Sequence, residues 1–296
     1  MINKEKSFIS VVFYLRNSEK YIIPFLENLL PSLNKYFECF EIICVNNDST
    51  DNSINIIKQF HKENYPSISL NIVTLSYCRS IEEAMASGID LAIGDFVFSF
   101  DSILFDYDET MIINAYKKSL EGNDVVFISP NKKVTLSQKL YYLLYNFGVQ
   151  KEMKIYPERF KIISRRAINR VGKMSKFFSN NSSVLKSCGL DNTTIFYDPS
   201  KAYIKYDKLE KKERYSKAIE SLILYTNISN KIMLILSIVF FISSLLAFGK
   251  VISLFYLLLS IGLFISIVII KHMQVLLNVT HRNHVHLIRS IEKVVK

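Results

Sequence analysis

Three groups of residues have the types and spacing to do chemistry. Residues 46–53 read Asn-Asn-Asp-Ser-Thr-Asp-Asn-Ser and lie between an apolar run and a helix-period stretch. Such a loop gathers carboxylate, amide and backbone donors, and the N-terminus of the helix it opens favours an anion. An ordinary capped loop explains the same residues equally well. Asp95 and Asp101 bracket a short apolar run, with Asp101 at its carboxyl end. A hard cation such as Mg²⁺ takes oxygen ligands and keeps several waters, so one carboxylate together with diphosphate oxygens can hold it. Asp106, Asp108 and Glu109 follow closely. For Asp108 and Glu109, capping the next helix is the favoured role.

The elements that must position these groups are legible from periodicity. The runs 8–15 (FISVVFYL), 41–45, 70–75, 95–100 and 124–128 are nearly continuous in apolar residues. That pattern suits strands buried on both faces. Helix-period stretches at 19–33, 53–61, 81–92 and 109–120 alternate with them. Asp51 is the expected N-cap of the second. Strands alternating with helices imply an α/β domain with a mainly parallel sheet, whose ligands bind beyond the carboxyl ends of the strands. Residues 131–215 are less regular, with a helix expected over 139–147, a strand over 160–164 and a short helix over 166–171.

Two long apolar runs follow, 232–248 and 251–270, separated by Gly249-Lys250. As helices they are about 25 and 30 Å long, enough to cross a bilayer core. Neither keeps the polar face of a soluble helix. Residues 216–230 have amphipathic character, with Ile219, Leu222, Ile223 and Tyr225 on the apolar side. The chain carries a net charge of +10. Much of the positive charge flanks the apolar runs: Lys211, Lys212, Arg214, Lys217 and Lys231 before them, Lys271, Arg282 and Arg289 after them. By the positive-inside rule both termini are expected in the cytoplasm. Because the charge follows a membrane segment, nucleic-acid binding is disfavoured. The four cysteines form no CxxC pair, which argues against zinc or a disulfide framework. Residues 1–6 are mostly polar and lead straight into a strand, so no cleavable signal peptide is expected.

Four stretches resemble family 2 glycosyltransferases of the polyprenyl-phosphate branch, which includes dolichol-phosphate mannosyltransferases and bactoprenol glucosyltransferases. They are 8–17 (FISVVFYLRN), 41–53 (EIICVNNDSTDNS), 84–101 (AMASGIDLAIGDFVFSFD) and 159–166 (RFKIISRR). The second resembles the family's strand followed by D-D-G-S-T-D. The third resembles A-x-x-x-G-x-x-x-A-x-G-D ending at an Asp-x-Asp motif. The fourth resembles F-R-L-x-S-R. Residues 207–215 are similar to a basic element of the family, and the apolar runs to its membrane hairpin.

The resemblance implies a GT-A-like, mainly parallel sheet flanked by helices, plus a C-terminal two-helix transmembrane hairpin. It divides the chain into a catalytic domain (1–206), a basic juxtamembrane segment (207–230), the hairpin (231–271) and a cytoplasmic tail (272–296). The implied activity moves a sugar, with inversion, from a nucleotide-sugar donor to a polyprenyl phosphate such as undecaprenyl phosphate, at the cytoplasmic face of a membrane. Mg²⁺ or Mn²⁺ is the implied cofactor and a homo-oligomer is a further expectation. Asp101 and Glu158 are the implied catalytic residues. Asn17, Asn47, Asp48, Arg79 and Asp95 are expected at the donor, and Lys161, Arg165, Lys208 and Arg214 at the lipid phosphate. Asp101 and Asp106 are the expected metal ligands.

The chain departs from the pattern at several of these points. Asn46 and Asn47 stand where the family has Asp, Asp48 where it has Gly, and Ile103 where it has the second Asp of Asp-x-Asp. Arg159 replaces an acidic residue and leaves Glu158 as the nearest carboxylate. The alternative reading is therefore a catalytically impaired relative acting as a membrane scaffold or partner subunit. A transferase acting on another glycan is a third reading. A processive polysaccharide synthase is disfavoured, because such enzymes use Q-x-x-R-W and this chain has no tryptophan.

Overall fold

The computed structural model describes residues 4–76, 80–131, 136–174, 182–200, 215, 218–219, 221–222, 226, 228–246, 249–280 and 288–294. They form two units. One comprises residues 1–134, 156–206 and 284–296, the other 135–155 and 207–283.

The first unit is built on an eight-stranded sheet in the order β7-β5-β6-β4-β1-β2-β3-β8. The strands are β1 (Ile9–Leu15), β2 (Phe40–Asn46), β3 (Ser69–Leu75), β4 (Phe96–Phe100), β5 (Val125–Pro130), β6 (Phe160–Ser164), β7 (Asn192–Tyr197) and β8 (Ile288–Val294). β1 to β4 pair in parallel, as β5 and β7 do. β6 runs antiparallel between β4 and β5, and β8 antiparallel to β3. The helices are α1 (Ile22–Tyr36), α2 (Ser53–Asn64), α3 (Ile81–Leu91), α4 (Thr110–Leu120), α6 (Arg165–Met174) and α7 (Ser182–Ser187); α5 lies in the second unit. All seven residues of β1 and of β2 are buried, as their continuous apolar runs require.

The structure departs from the sequence reading at several points. β7 lies in the region read as irregular, although its NTTIFY composition is rich in β-branched and aromatic residues. β8 takes residues expected as a tail into the sheet. Asn52, not Asp51, is the N-cap position of α2; Asp51 instead accepts hydrogen bonds from the Ser53 N–H (3.1 Å) and hydroxyl (2.6 Å).

Two glycines of the third family-like stretch have steric reasons. A Cβ on Gly88, in α3, would come within 2.6 Å of side-chain carbons of Val45 and Val12, where the helix lies on β1 and β2. A Cβ on Gly94 would stand 2.5 Å from the backbone nitrogen of Ser10 and 2.8 Å from the carbonyl oxygen of Phe8. Backbone cannot swing aside as a side chain can. Gly94→Ala is therefore expected to cost about 1–3 kcal/mol through overpacking. A thermal unfolding midpoint equal to wild type would refute this.

The second unit holds α5 (Leu136–Gly148), α8 (Ile228–Leu246) and α9 (Lys250–Thr280). α8 and α9 are joined at Gly249, whose φ of +107° is left-handed backbone that glycine adopts without strain. They pack antiparallel, with the Ser237 hydroxyl donating to the Ser260 carbonyl (3.1 Å) and Phe240 stacked near Tyr256. Within α9, Lys250–Lys271 is long and apolar enough to cross a membrane; the apolar part of α8, Asn230–Leu246, is shorter. Most large apolar side chains of both helices are exposed.

Candidate active site

Parallel β1, β2, β3 and β4 end on one edge of the sheet, and the loops after β1, β2 and β4 gather there. The first two are tied into one framework. The Asn17 side-chain oxygen accepts from the Thr50 N–H (2.9 Å) and hydroxyl (3.3 Å), while the Asn17 N–H donates to the Ser49 hydroxyl (3.2 Å). The Ser18 N–H donates to the Ser53 hydroxyl (2.9 Å), and the Glu19 N–H to Asp51 (3.0 Å). Asn17, expected at the donor, has its side-chain oxygen engaged in holding the loop after β2.

Asn47 is fully buried, and its amide donates to the Tyr14 hydroxyl (3.1 Å). It underpins the loop, and the geometry does not offer it to a donor in solution. Asp48 is exposed on the same loop, with φ of +58°. The departure from glycine is tolerable because Asp, like Asn at position 17 (φ +43°), enters left-handed backbone more readily than most side chains.

The centre of the edge is a charged group at the end of β4. Lys161 on β6 pairs in register with Ser99 of β4 and Phe127 of β5, and is 1 % exposed. Its ammonium lies 3.1 Å from Glu158 Oε2 and 3.4 Å from Asp101 Oδ2. Burial alone would lower its pKa, but the charges of Asp101 and Glu158 outweigh that and hold it above the usual lysine value. Asp101 keeps 34 % of its side chain exposed, against 15 % for Glu158. The two expected catalytic carboxylates are thus brought together, through a lysine assigned in the sequence reading to the lipid phosphate. Lys161 is instead an interior residue, because β6 threads between β4 and β5.

A second cluster lies behind it. Asp106, 3 % exposed, receives two hydrogen bonds from the Arg159 guanidinium (2.9 and 2.8 Å) and one from the Tyr197 hydroxyl (2.6 Å). Burial opposes the Arg159 charge, but Tyr197 and Asp106 outweigh it and raise its pKa. Burial pushes the Tyr197 hydroxyl well up as well. The expected metal role of Asp106 is not met, since both its oxygens are engaged in this pair. Arg159, the residue that displaced an acidic one, is its partner.

Asp95 and Arg165 lie on the opposite edge. Five strand residues separate Asp95 from Asp101, so the two lie about 20 Å apart at the rise of a strand. Asp95 Oδ2 accepts from the Phe8 N–H (3.0 Å). Arg165 donates to the carbonyls of Gly94 (3.0 and 2.6 Å) and Ala92 (2.8 Å). Both brace the turn before β4, which corrects the donor role expected of Asp95 and the phosphate role expected of Arg165. Arg79, Lys208 and Arg214 lie outside the described residues.

Sequence reasoning missed Lys186 on α7, which stands over the rings of Phe127 (5.0 Å) and Tyr156 (5.5 Å). Burial lowers its pKa, while Glu158 raises it. No local pattern marks it, since its partners come from β5 and the segment before β6.

For a divalent cation, no group of three or more His, Cys, Asp or Glu side chains comes together among the described residues. Ile103, in place of the family's second carboxylate, is buried in the hydrophobic core. The residues present fit a cation held by Asp101 alone, with the remaining oxygens supplied by a ligand and by water.

The description "Glycosyl transferase family 2" belongs to the family model that matches residues 10–186. An uncharacterized glycosyltransferase of Synechocystis sp. is 26% identical over 198 residues, 64% of this chain and 60% of that protein. The glycosyltransferase-named CsbB of Bacillus subtilis is 22% identical over 202 residues, 66% of this chain and 59% of its own length. The chain thus spans about 60% of the length of these relatives. Among solved structures, a mannosyltransferase from Pyrobaculum calidifontis in complex with GDP-mannose and Mn²⁺ aligns with a TM-score of 0.55 at 17% identity, over 74% of this chain and 64% of that one. Glucosyl-3-phosphoglycerate synthase from Mycobacterium tuberculosis, in complex with Mn²⁺, UDP and phosphoglyceric acid, aligns at 0.52 and 15%, over 74% and 78%. At these identities the likeness establishes the α/β, GT-A-like fold.

Proposed function

The chain belongs to glycosyl transferase family 2, and from that premise we propose that it transfers a sugar from a nucleotide-sugar donor to a polyprenyl phosphate at the cytoplasmic face of a membrane. One observation carries the lipid part. The chain leaves the sheet-bearing unit, runs through the apolar hairpin α8–α9, and returns to the same sheet as β8. If α9 crosses a bilayer, an even number of crossings is needed for β8 to reach β3. This supports a hairpin with both ends on the same side of the membrane, which the flanking lysines and arginines favour as the cytoplasmic one. A second feature supports contact with lipid. Leu136, Leu140, Leu143 and Phe147 recur at helical spacing on α5 and are all exposed, and Lys231 at the start of α8 stands 5.8 Å from the Phe147 ring. An exposed apolar stripe beside a lysine suits a helix lying in the headgroup region.

In this reading the donor diphosphate lies at the β1, β2 and β4 loops, with its sugar toward Asp101. Asp101 would hold a divalent cation there, and that ion would supply charge neutralisation for the departing nucleoside diphosphate. The acceptor is a phosphate monoester, which is largely ionised at neutral pH because its second pKa is near about 6. Its oxygen forms the new bond to the anomeric carbon from the side opposite the leaving diphosphate, so the configuration inverts. No proton has to be removed. Glu158, tied to Lys161, is therefore not required as a base, and the loss of the acidic residue at position 159 is compatible with turnover.

The buried Ile103 favours the alternative, an impaired family member acting as a membrane scaffold or partner subunit. The test is purified full chain in detergent with Mn²⁺ and undecaprenyl phosphate, against a panel of UDP- and GDP-sugars. Nucleoside diphosphate release that depends on the lipid phosphate is expected. Donor hydrolysis or transfer that ignores the lipid would remove the acceptor from the proposal. No release and no donor binding would favour the scaffold.

A further inference from the structure

We propose that Lys161 is the resident cation of the site. It is a positioning residue whose ammonium takes the bridge between Asp101 and Glu158 that a divalent cation would otherwise occupy.

Two carboxylates converging on one point from the ends of different elements are what a hard cation seeks. Here Asp101 comes from the end of β4 and Glu158 from the segment before β6, and each places an oxygen within 3.4 Å of one buried ammonium. Water does not screen that ammonium, since Lys161 is 1 % exposed. The third candidate position for a carboxylate is closed, because Ile103 turns into the core. Counting formal charges, two carboxylates and one ammonium leave the group with a net charge of −1. A divalent cation approaching Asp101 meets this reduced charge and a fixed positive neighbour.

The consequence concerns the order of binding. The free protein holds Mg²⁺ or Mn²⁺ weakly, and the cation enters together with a nucleoside diphosphate, whose oxygens supply the ligands that the protein lacks. A lysine in an otherwise apolar strand (Phe-Lys-Ile-Ile) then has a reason beyond packing. The inference rests on Asp101 lying at the donor diphosphate. Its test reads metal binding without sugar transfer, so it fails or stands separately from the acceptor assignment.

The experiment is Mn²⁺ titration of the full chain in detergent, followed by the electron paramagnetic resonance signal of free Mn²⁺, with and without UDP or GDP. Wild type without nucleotide is expected to bind weakly. Lys161→Met exposes the two carboxylates to the cation and is expected to bind Mn²⁺ about tenfold or more tightly, because a positive charge roughly 4 Å away is removed. Lys161→Arg, which keeps the charge, is expected to behave as wild type, and Glu158→Gln in the Lys161→Met background to lose the gain. Nucleotide-free binding in wild type as tight as in Lys161→Met would overturn the proposal. So would a Lys161→Met protein that folds and gains nothing. If Lys161→Met does not fold, Glu158→Gln decides alone. With the lysine then neutralising Asp101, Mn²⁺ binding in the presence of nucleotide is expected to weaken several-fold, and an unchanged affinity would overturn the proposal.

Discussion

Asp101→Asn is expected to lower donor turnover by about 10²–10³-fold or more while leaving the protein folded. The size is that of losing one electrostatic stabiliser of the transition state, here the ligand that would hold the cation neutralising the departing diphosphate. Asn keeps the shape of Asp and can still meet the Ser99 hydroxyl, 3.4 Å away in the native protein. What it removes is the negative charge at the partly exposed end of β4, where the proposed reading puts the ligand of a cation–diphosphate complex. Ile103 offers no substitute, Glu158 is tied to Lys161, and Asp106 is locked to Arg159. The measurement is lipid-dependent nucleoside diphosphate release, paired with thermal unfolding. Activity within threefold of wild type would place the reacting centre elsewhere.

Asp106→Ala is expected to destabilise the fold by about 3–5 kcal/mol, because removing one member of a buried pair strands the other charge. Arg159 has 16 % of its side chain exposed, and Tyr197 and the Arg159 guanidinium both meet Asp106. Alanine would leave the guanidinium facing the Tyr197 hydroxyl, with no anion to offset its burial. The paired change Asp106→Leu with Arg159→Met removes both charges and is expected to recover most of the loss, as a volume-conserving apolar replacement can. Unfolding midpoints of the two single variants and the double variant provide the cycle. A folded Asp106→Ala protein of wild-type stability, with weakened Mn²⁺ binding, would return Asp106 to the metal role that its geometry disfavours.

These two carboxylates show how much of the site was legible. The position of Asp101 was legible because a strand end is a local property: a mostly apolar run ends, and a carboxylate follows at the edge where parallel strands bind ligands. Asp106 was misjudged because its role depends on Arg159, 53 residues away. Nothing near Asp106 announces that partner, which arrives only when β6 inserts antiparallel beside β4. Asp95 could have been placed correctly. The same run that puts Asp101 at the carboxyl edge puts Asp95 at the opposite one, and the family-like pattern around it weighed more than that geometry. Asn47 was misread for the reverse reason, since a polar side chain in a polar loop gives no sign that it will be drawn under the loop to a buried tyrosine.

By itself the sequence determined the alternation of strands and helices, the family and the apolar character of the C-terminal helices. Each of these is written in local pattern: continuous apolar runs for strands buried on both faces, a 3.6-residue period for the helices that cover them, and uncharged runs without a polar face. Tertiary structure alone decided that Lys161 stands between Asp101 and Glu158, that Arg159 answers Asp106, and that the segment 288–294 returns to the sheet beside β3. The physical reason is common to all three. Pairing between distant strands is selected by the free energy of burying and satisfying groups that meet only after the chain has folded, and such groups carry no spacing in the sequence by which they could be matched beforehand.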